Sequence, residues 1–302
     1  MNQFLTRARS WWRAEIFAWQ KFRPHELNNS VLVPDYVPVH IKQYVEYLAK
    51  ILCAELPNRQ LRRRVFLAFS KHIEFLPKRS QKLLIQHEQT IFTGDDATLS
   101  SDALAAMRSD TACSDVIEGV RIHGPVAGFD KADAILDYSA ANITHVKQSP
   151  LAHLYAGKSF HLAPMFPNSP RNLEPRAQPA VHTMYGSPDA GRRSLITKLI
   201  TDAGITVTNI SNYHDYDLAF RDAAILVNFR QVEYFSTPEE LRILPALLQR
   251  VIVITEDTEA LAQSSLAPFV IRANRNDVVT VTRSIIDDYV KVWKSIFSSG
   301  LF

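Results

Sequence analysis

A loop of small residues, Gly186-Ser-Pro-Asp-Ala-Gly, has the composition of a phosphate-binding segment. It lies between a predicted strand and a predicted helix, and the first backbone N–H groups and positive dipole end of a helix attract anions. Arg192 and Arg193, which come next, carry guanidinium groups that bind phosphate oxygens through charge-assisted hydrogen bonds. The same arginines would equally suit an ordinary exposed helix start, so both interpretations stay open. The loop fits neither GxGxxG nor Walker A, and the sequence therefore gives no support for a nicotinamide cofactor or P-loop hydrolysis.

Carboxylate and amide side chains follow other predicted strands of the second half. Asn228 and Glu256 come at strand ends, and Glu240 comes near the start of a predicted helix. In an open parallel sheet these ends form the ligand-binding edge, where a carboxylate such as Glu240 can accept hydrogen bonds from a nucleotide ribose. A capping box formed by Thr237 and Glu240, with Pro238 at the first helical position, is the competing interpretation.

Composition excludes several classes of protein. The chain has 302 residues, of which 46% are hydrophobic and only 9 are glycine, and its net charge is +3. No apolar run approaches the roughly 18–20 residues of a membrane-spanning helix. The basic run Arg62-Arg-Arg64 is not interleaved with aromatic residues in a nucleic-acid-binding motif, so no nucleic-acid partner is expected. Two cysteines and unclustered histidines predict a reducing, cytoplasmic location and no metal site.

The N-terminal segment is basic and rich in tryptophan. Residues 4–23 are predicted to form an amphipathic helix within a separable segment, 1–24, that can be deleted without unfolding the rest. Indole rings and basic side chains suit the interface of an anionic membrane, so peripheral contact with the inner face of a membrane is one interpretation. The other is a helix that packs on the protein's own surface.

Hydrophobic patterns predict a two-domain α/β protein. In the second half, strands alternate with helices over residues 181–302, which is typical of a doubly wound parallel sheet. In the first half, residues 25–165, strands and helices also alternate, which indicates parallel pairing through crossover helices. A proline-rich segment, 166–180, is predicted to link the two domains.

Two segments of the second half resemble group 1 glycosyltransferases of the GT-B fold. They are Asp217-Leu-Ala-Phe-Arg-Asp-Ala-Ala-Ile-Leu-Val-Asn228 with Phe229, and the stretch from Pro238-Glu-Glu to Thr255-Glu256. In the first half, Ile85-Gln-His-Glu-Gln and Leu136-Asp-Tyr-Ser-Ala-Ala-Asn-Ile resemble cleft-lining strand ends of a bacterial subgroup. Two features depart from the family pattern: position 248 is Leu rather than a second glutamate, and Arg250 replaces a glycine.

The resemblance implies two Rossmann-like domains that face a cleft, with a divergent, helix-rich N-terminal domain. It implies metal-independent transfer of a sugar from a nucleotide-sugar donor to a glycan or lipid-linked acceptor, with no other cofactor. It makes Arg193 a phosphate contact and Glu240 a ribose ligand, and Glu88 or His87 the general base of an inverting reaction. The competing hypothesis is a non-catalytic glycosyltransferase-like protein that binds a nucleotide, a glycan or a partner protein. The residues implied at the donor site are Gly186, Arg192, Arg193, Asn228, Glu240 and Glu256.

Overall fold

The structure, a computed structural model, divides into two compact units, Met1–Met165 and Phe166–Phe302. Both units are mixed α/β with parallel strands, which confirms the predicted fold class. The predicted cleft between them stays a prediction. Across the described residues, no helix is both long and apolar enough to cross a membrane. The structure describes residues 13–38, 41–55, 64–88, 90–92, 114–117, 120–163, 174–185, 191–210, 219–230, 238–262 and 264–298.

The strands of the first unit form two sheets. They are β1 (Phe22–His25), β2 (Asn28–Pro34), β3 (Val65–Ala68), β4 (Gln81–Gln86), β5 (Ile91–Phe92), β6 (Ser114–Ile117), β7 (Val120–His123), β8 (Ala134–Asp137) and β9 (Ser159–His161). The larger sheet has the order β1-β2-β3-β4-β8-β9, with β1 antiparallel to β2 and the other pairs parallel. The smaller sheet is antiparallel, with the order β5-β7-β6.

The parallel strands of the larger sheet follow one another in chain order from β2 to β9. A doubly wound sheet reverses its strand order at one point, and the described strands of this sheet show no reversal. The first unit therefore has parallel crossovers, as predicted, but departs from the doubly wound order that the glycosyltransferase resemblance implies.

The helices of the first unit cover a core of aromatic and aliphatic side chains. Phe66, Leu84, Ile135 and Phe129 lie in this core with no exposed surface. The strands β3, β4 and β8 are nearly continuous buried runs, as expected for a parallel sheet that is covered on both faces. The helices are α1 (13–21), α2 (Lys42–Glu55), α3 (Ser70–Ile73), α4 (Val126–Lys131), α5 (Ala140–Lys147) and α6 (Ala152–Tyr155).

The N-terminal helix is part of the first unit's core. Ala18 is 3% exposed, and the Phe17 ring packs against Phe75 with centroids 5.3 Å apart. The helix ends at residue 21, and Phe22, 4% exposed, begins β1. The predicted helical range 4–23 is therefore wrong at its end, because pairing with β2 overrides the helical spacing. Residues 22–24 of the segment 1–24 pair with β2. That this segment can be deleted without unfolding the rest stays a prediction, and residues 4–12 lie outside the described part.

The second unit is built on one parallel sheet. Its strands are β10 (Val181–Thr183), β11 (Val207–Asn209), β12 (Ile225–Asn228), β13 (Ile252–Glu256) and β14 (Val270–Ala273). Their order is β11-β10-β12-β13-β14, and all neighbours are parallel. The strand order reverses at β10, which lies between β11 and β12. That reversal is the switch point of a doubly wound sheet, as predicted for this half.

Helices connect the strands of the second unit. A glycine with φ +80°, Gly204, follows the first of them, where a left-handed residue ends the helix. Farther along, two consecutive helices meet at Asp288. The helices are α7 (Gly191–Asp202), α8 (Glu240–Leu248), α9 (Glu259–Ala262), α10 (Val278–Asp287) and α11 (Tyr289–Phe297).

Arg176, near the end of the proline-rich segment, binds backbone carbonyls of the second unit. Arg176 donates hydrogen bonds to the backbone carbonyls of Phe220, Gln249 and Arg250 at 2.9, 3.0 and 3.0 Å. These carbonyls precede β12 and β13, so Arg176 closes the amino-terminal edge of the sheet. The opposite, carboxyl-terminal edge carries the predicted donor site.

Candidate functional site

The carboxyl-terminal edge of the second unit's sheet brings together most of the predicted donor-site residues. β12 ends at Asn228 and β13 at Glu256, and these parallel strands pair with Asn228 opposite Thr255. Helices α7 and α8 begin at the same edge, because each follows a parallel strand. Residues that are far apart in the sequence thereby become neighbours; Gly186 lies outside the described residues.

Arg193 is buried at this edge and bound to the protein itself. Its side chain is 7% exposed, and its Nη2 donates to Glu239 Oε1 at 2.9 Å. Its Nε donates to the Phe229 carbonyl at 3.3 Å, and its guanidinium lies 4.7 Å from the Tyr185 ring centroid. These contacts fix the guanidinium plane between α7, α8 and the strand ends. Arg193 therefore acts first as an anchor of the site.

Arg192 differs from its neighbour because part of its hydrogen-bonding capacity is unused. Its Nη2 forms an ion pair with Glu256 Oε1, and the side chain is 14% exposed. Its Nε and Nη1 are buried, and within the described residues they have no hydrogen-bond acceptor. A buried donor without a partner costs about 1–3 kcal/mol. In the first turn of α7, such donors fit an anion.

Glu256 is shared by two arginines. Besides Arg192, it binds Arg230, whose Nε lies 2.9 Å from Oε2 and whose Nη2 lies 2.9 Å from Oε1. The backbone N–H of Arg230 also donates to Oε2 at 3.3 Å. Glu256 is 4% exposed, so this bidentate pair lies out of water. Sequence reasoning missed Arg230, although its place two residues after the end of β12 was a usable signal.

Glu239 also joins two arginines, in this case from different helices. It accepts from Arg193 of α7 and pairs with Arg242 of α8, three residues farther along the chain. Arg242 Nη1 also donates to Asn228 Oδ1 at 2.9 Å. The side chain of Asn228, 3% exposed, thus orients an arginine rather than standing open for a ligand. Glu239 and Arg242 are two further residues that the predicted site lacked.

Glu240 is the first residue of α8 and is 7% exposed. Its Oε1 accepts a hydrogen bond from Ser264 Oγ at 2.7 Å. Burial raises the pKa of its carboxyl to about 7, and the Ser264 hydrogen bond only partly opposes that rise. The group therefore changes charge near neutral pH.

The competing capping-box interpretation of Glu240 is wrong. The N-cap of α8 is Glu239, without a side-chain capping bond, so Pro238 lies outside the helix. Thr237 lies outside the described residues. Within the described residues, the Glu240 carboxyl binds Ser264.

Among the described residues, four arginines and three glutamates lie at the carboxyl ends of the parallel strands, beside two helix N-termini. Glu239 and Glu256 bind the guanidinium groups, whereas the Glu240 carboxyl binds Ser264. Helix N-termini and arginines at such an edge suit an anion. We call this set the arginine cluster: Arg192, Arg193, Arg230, Arg242, Glu239, Glu240 and Glu256.

In the first unit, the predicted general-base residues directly follow β4. His87 is 7% exposed and lies between the rings of Phe69 and His123, each with a centroid 4.9 Å away. Glu88 is half-buried. A base must reach the acceptor hydroxyl, so the packing around His87 favours Glu88 for that role.

A buried polar network holds the segment that contains Glu88. Asn142 Nδ2 donates to the Glu88 carbonyl at 2.9 Å, and Asn142 Oδ1 accepts from the Thr90 backbone N–H at 2.9 Å. Asp137, fully buried, accepts from Asn142 Nδ2 at 3.0 Å and from Tyr155 Oη at 2.9 Å. The residues that the family resemblance placed at this strand end therefore fix the backbone of Glu88.

Metal ligation has no candidate in the described residues, which contain no group of three or more His, Cys, Asp or Glu side chains that could hold an ion. No protein-family model matches the chain. The chain is 21% identical over 168 residues to an uncharacterized protein of Acanthamoeba polyphaga mimivirus. The matched region covers 54% of this chain and 56% of that protein.

Solved structures with a similar fold include GT-B glycosyltransferases. An S. aureus TarM mutant in complex with fondaparinux, α-GlcNAc-glycerol and UDP is 12% identical, with a TM-score of 0.44 over 74% of this chain and 48% of that chain. An α1,3-fucosyltransferase with GDP-fucose is 10% identical, with a TM-score of 0.39 over 78% of this chain and 70% of that chain. Sucrose-phosphate synthase from Thermosynechococcus elongatus is 11% identical, with a TM-score of 0.41 over 87% and 76%. The chain spans about half the length of the mimivirus protein and of TarM.

Proposed function

We propose that this protein transfers a sugar from a nucleotide-sugar donor to a hydroxyl group of a glycan or lipid-linked acceptor, without a metal ion. The observation that carries the proposal is a pair of buried N–H groups of Arg192, Nε and Nη1, which have no acceptor within the described residues and lie beside the ion pair with Glu256. A nucleoside diphosphate leaves with negative charge, and stabilising that charge is the main catalytic task in such a reaction.

The arginine cluster supplies this stabilisation in two layers. Arg192 Nε and Nη1 and the first N–H groups of α7 would bind the diphosphate oxygens directly. Arg193, Arg230 and Arg242 are held by carboxylates and carbonyls, so they fix the geometry and keep the local potential positive. Because these groups are already ordered, little reorganisation is needed when the bond to the sugar breaks.

Glu240 would accept hydrogen bonds from the paired hydroxyls of the donor ribose. Its carboxyl is buried beside Ser264 and is ionised only in part at neutral pH. A ligand whose hydroxyls donate to the carboxylate favours the ionised form, so binding would lower the pKa of Glu240.

An inverting reaction needs a base at the acceptor hydroxyl, and Glu88 is our candidate for that base. Asn142 and Asp137 hold its backbone in one place, as a base needs when it must meet a hydroxyl within hydrogen-bonding distance. A retaining reaction would not need this group.

A second candidate function is non-catalytic binding of a nucleotide, glycan or partner protein. It is favoured by the number of cluster arginines that are paired with protein acceptors, and by the absence of a second glutamate at position 248, which is Leu. In that case the arginine cluster would hold a nucleotide without activating a sugar.

We also propose peripheral contact with the inner face of an anionic membrane. On α1, Trp19 is 84% exposed and Ile16 45% exposed, although Ala18 of the same helix is buried. Arg13 and Lys21 are exposed beside them. An outward indole flanked by basic side chains suits the headgroup region of such a membrane.

The proposal is tested by measuring the release of nucleoside diphosphate from a panel of nucleotide sugars. The reactions contain EDTA and mixed glycan and lipid-linked acceptors. We expect release from at least one donor, and loss of release in Arg192→Gln but not in Arg283→Gln. Arg283 is a matched control because it donates to the Ala203 carbonyl at the far end of α7. Binding of a nucleotide without release from any donor would support the second candidate instead.

A further inference from the structure

A cysteine, a histidine and a glutamate meet in the first unit, on the side of α2 that faces the β1–β2 hairpin. His25 ends β1 and is 1% exposed. Glu46 and Cys53 are seven residues apart on α2, and that spacing places them on one face, about two helical turns apart. The imidazole of His25 lies in contact with both.

Hydrogen bonds define the tautomer of His25. Its Nδ1 accepts from the Leu27 backbone N–H at 3.2 Å, so Nδ1 carries no proton in the neutral ring. The proton is therefore on Nε2, which lies 3.5 Å from Glu46 Oε2, within ion-pair distance but without a hydrogen bond among the described residues. Glu46 is also held by Arg23, whose Nη2 lies 3.0 Å from Oε1.

The Cys53 thiol faces the unprotonated nitrogen. Its Sγ lies 3.3 Å from His25 Nδ1, within the range of an S–H···N hydrogen bond. A nucleophile beside a base, with the base oriented by a third polar group, is the arrangement that activates cysteine in enzymes. Cys53 is free and half-buried.

We propose that Cys53 is a modification site that reacts with small-molecule disulfides, with His25 as its base and Glu46 as the group that orients His25. The Cys53 proton moves to His25 Nδ1 while Sγ forms a bond to one sulfur of the disulfide. The original S–S bond breaks, and the departing thiolate takes the proton from Nδ1. The products are a mixed disulfide at Cys53 and one free thiol, so the disulfide is the only oxidant.

The base is needed because the resting group is a thiol. Burial raises the pKa of Cys53, so little thiolate exists at neutral pH without proton transfer. When Nδ1 takes the proton it loses the bond from Leu27, and the imidazolium gains the carboxylate of Glu46 at Nε2. Arg23 faces the same carboxylate and weakens that gain. Replacing Arg23 should therefore not slow the reaction.

The test measures the reaction of Cys53 with oxidised glutathione and with Ellman's reagent at neutral pH, in a Cys113→Ser background. The control carries Ile51→Cys with both natural cysteines replaced by serine, because position 51 is half-buried on the same helix. We expect a single glutathione adduct at Cys53 by intact mass, formed at least about tenfold faster than in the control, as a positioned base would provide.

Three variants distinguish activation of Cys53 by a base from reactivity that is due only to exposure of the thiol. His25→Gln should lower the Cys53 rate to that of the control, Glu46→Gln should lower it severalfold, and Arg23→Gln should leave it unchanged or raise it. Should His25→Gln fail to fold, the reaction rates of Glu46→Gln and Arg23→Gln are compared. Both substitutions remove the Arg23–Glu46 ion pair, but only Glu46→Gln removes the carboxylate beside His25. Equal rates for Cys53 and the Ile51→Cys control, or a Glu46→Gln rate equal to the unmodified rate, would overturn the proposal.

Discussion

Arg230 and Glu256 form a bidentate ion pair, with Nε 2.9 Å from Oε2 and Nη2 2.9 Å from Oε1. Arg192 binds the same carboxylate, so one buried Glu256 compensates two guanidinium groups. Under the proposed function, an anion bound by Arg192 would add a second negative charge beside these two guanidinium groups.

Glu256→Gln tests this sharing. It leaves two buried arginines without their carboxylate, and we expect a loss of about 3–5 kcal/mol in the free energy of unfolding, measured by urea denaturation. Added pyrophosphate should recover part of the loss, because it binds only the folded state. Asp257→Asn, at a half-exposed position beside Arg272, is the control and should cost less than about 1 kcal/mol. Equal stability of Glu256→Gln and the unmodified protein would contradict the shared-carboxylate account.

Glu240 predicts a pH dependence of stability. Its folded pKa of about 7 lies above the ordinary value of 4.5, so the folded state keeps a proton that the unfolded state releases. Stability should therefore fall as pH rises from about 4.5 to 7, by up to about 3 kcal/mol relative to Glu240→Gln. Urea denaturation of both proteins at pH 5 and pH 8 measures the difference. A gap that does not change with pH would exclude the raised pKa.

The same carboxyl predicts the pH dependence of nucleotide affinity. The proposed ribose hydroxyls would donate to the ionised group, so affinity should rise between pH 6 and pH 8 in the unmodified protein and stay level in Glu240→Gln. Ser264→Ala removes the hydrogen bond that lowers the pKa of Glu240 and should move the rise to higher pH. Calorimetric titration across this range is the measurement. Identical profiles for all three proteins would argue against a ribose at Glu240.

Arg193→Gln should unfold the second unit more easily rather than act only on binding. The guanidinium of Arg193 binds Glu239 and the Phe229 carbonyl and lies over Tyr185, all in buried positions. Removing one partner of a buried pair costs about 3–5 kcal/mol. Thermal and urea unfolding compare it with Arg283→Gln at the other end of α7. If Arg193→Gln keeps full stability, the anchoring role assigned to it here is wrong.

Trp19→Ala combined with Ile16→Ser should abolish binding to anionic vesicles while leaving the fold intact, because both side chains point outward. Co-sedimentation with vesicles that contain anionic lipid measures this. Tyr36→Ala, 75% exposed elsewhere in the first unit, is the matched control and should bind like the unmodified protein. Equal sedimentation of the double variant would leave α1 as a surface helix only.

The second unit's fold could be predicted because its strands are short apolar runs that alternate with helical patterns. Buried runs such as Ile225–Asn228 and Ile252–Glu256 have that form. Gly204 follows α7 with a positive φ, the conformation that glycine commonly adopts at a helix end. The β1–β2 hairpin was not predictable in the same way. Phe22 continues the apolar spacing of α1, and only pairing with Pro34 of β2 draws it into a strand.

The arginine cluster was only partly predictable. Sequence position located the strand ends, and hence Arg192, Arg193 and Glu256, because parallel strands end at one edge. The sequence could not show which arginine binds which carboxylate, since this depends on how side chains from two strands and two helices pack. For that reason Arg230 and Arg242 were missed. The role of Arg193 as a phosphate ligand stays a prediction.

Arg250 shows how packing can replace a glycine. Its φ is 56°, in the left-handed region that favours glycine. Its guanidinium lies 5.7 Å from the ring centroid of Trp293, and Trp293 Nε1 donates to the Arg250 carbonyl at 3.0 Å. These contacts offset the strain, so the departure from the family pattern at this position reflects local packing and does not alter the carboxyl-terminal edge.

We propose that Arg192 binds the diphosphate of a nucleotide through Nε and Nη1, which have no acceptor among the described residues. Isothermal titration of nucleoside diphosphates in EDTA, with the unmodified protein, Arg192→Gln and Arg283→Gln, is the decisive measurement. We predict that at least one nucleoside diphosphate binds, that Arg283→Gln binds it equally well, and that Arg192→Gln binds it about 10–100-fold more weakly, as expected for a lost charge-assisted contact. Undiminished affinity in Arg192→Gln, or no binding of any nucleoside diphosphate to the unmodified protein, would contradict the account.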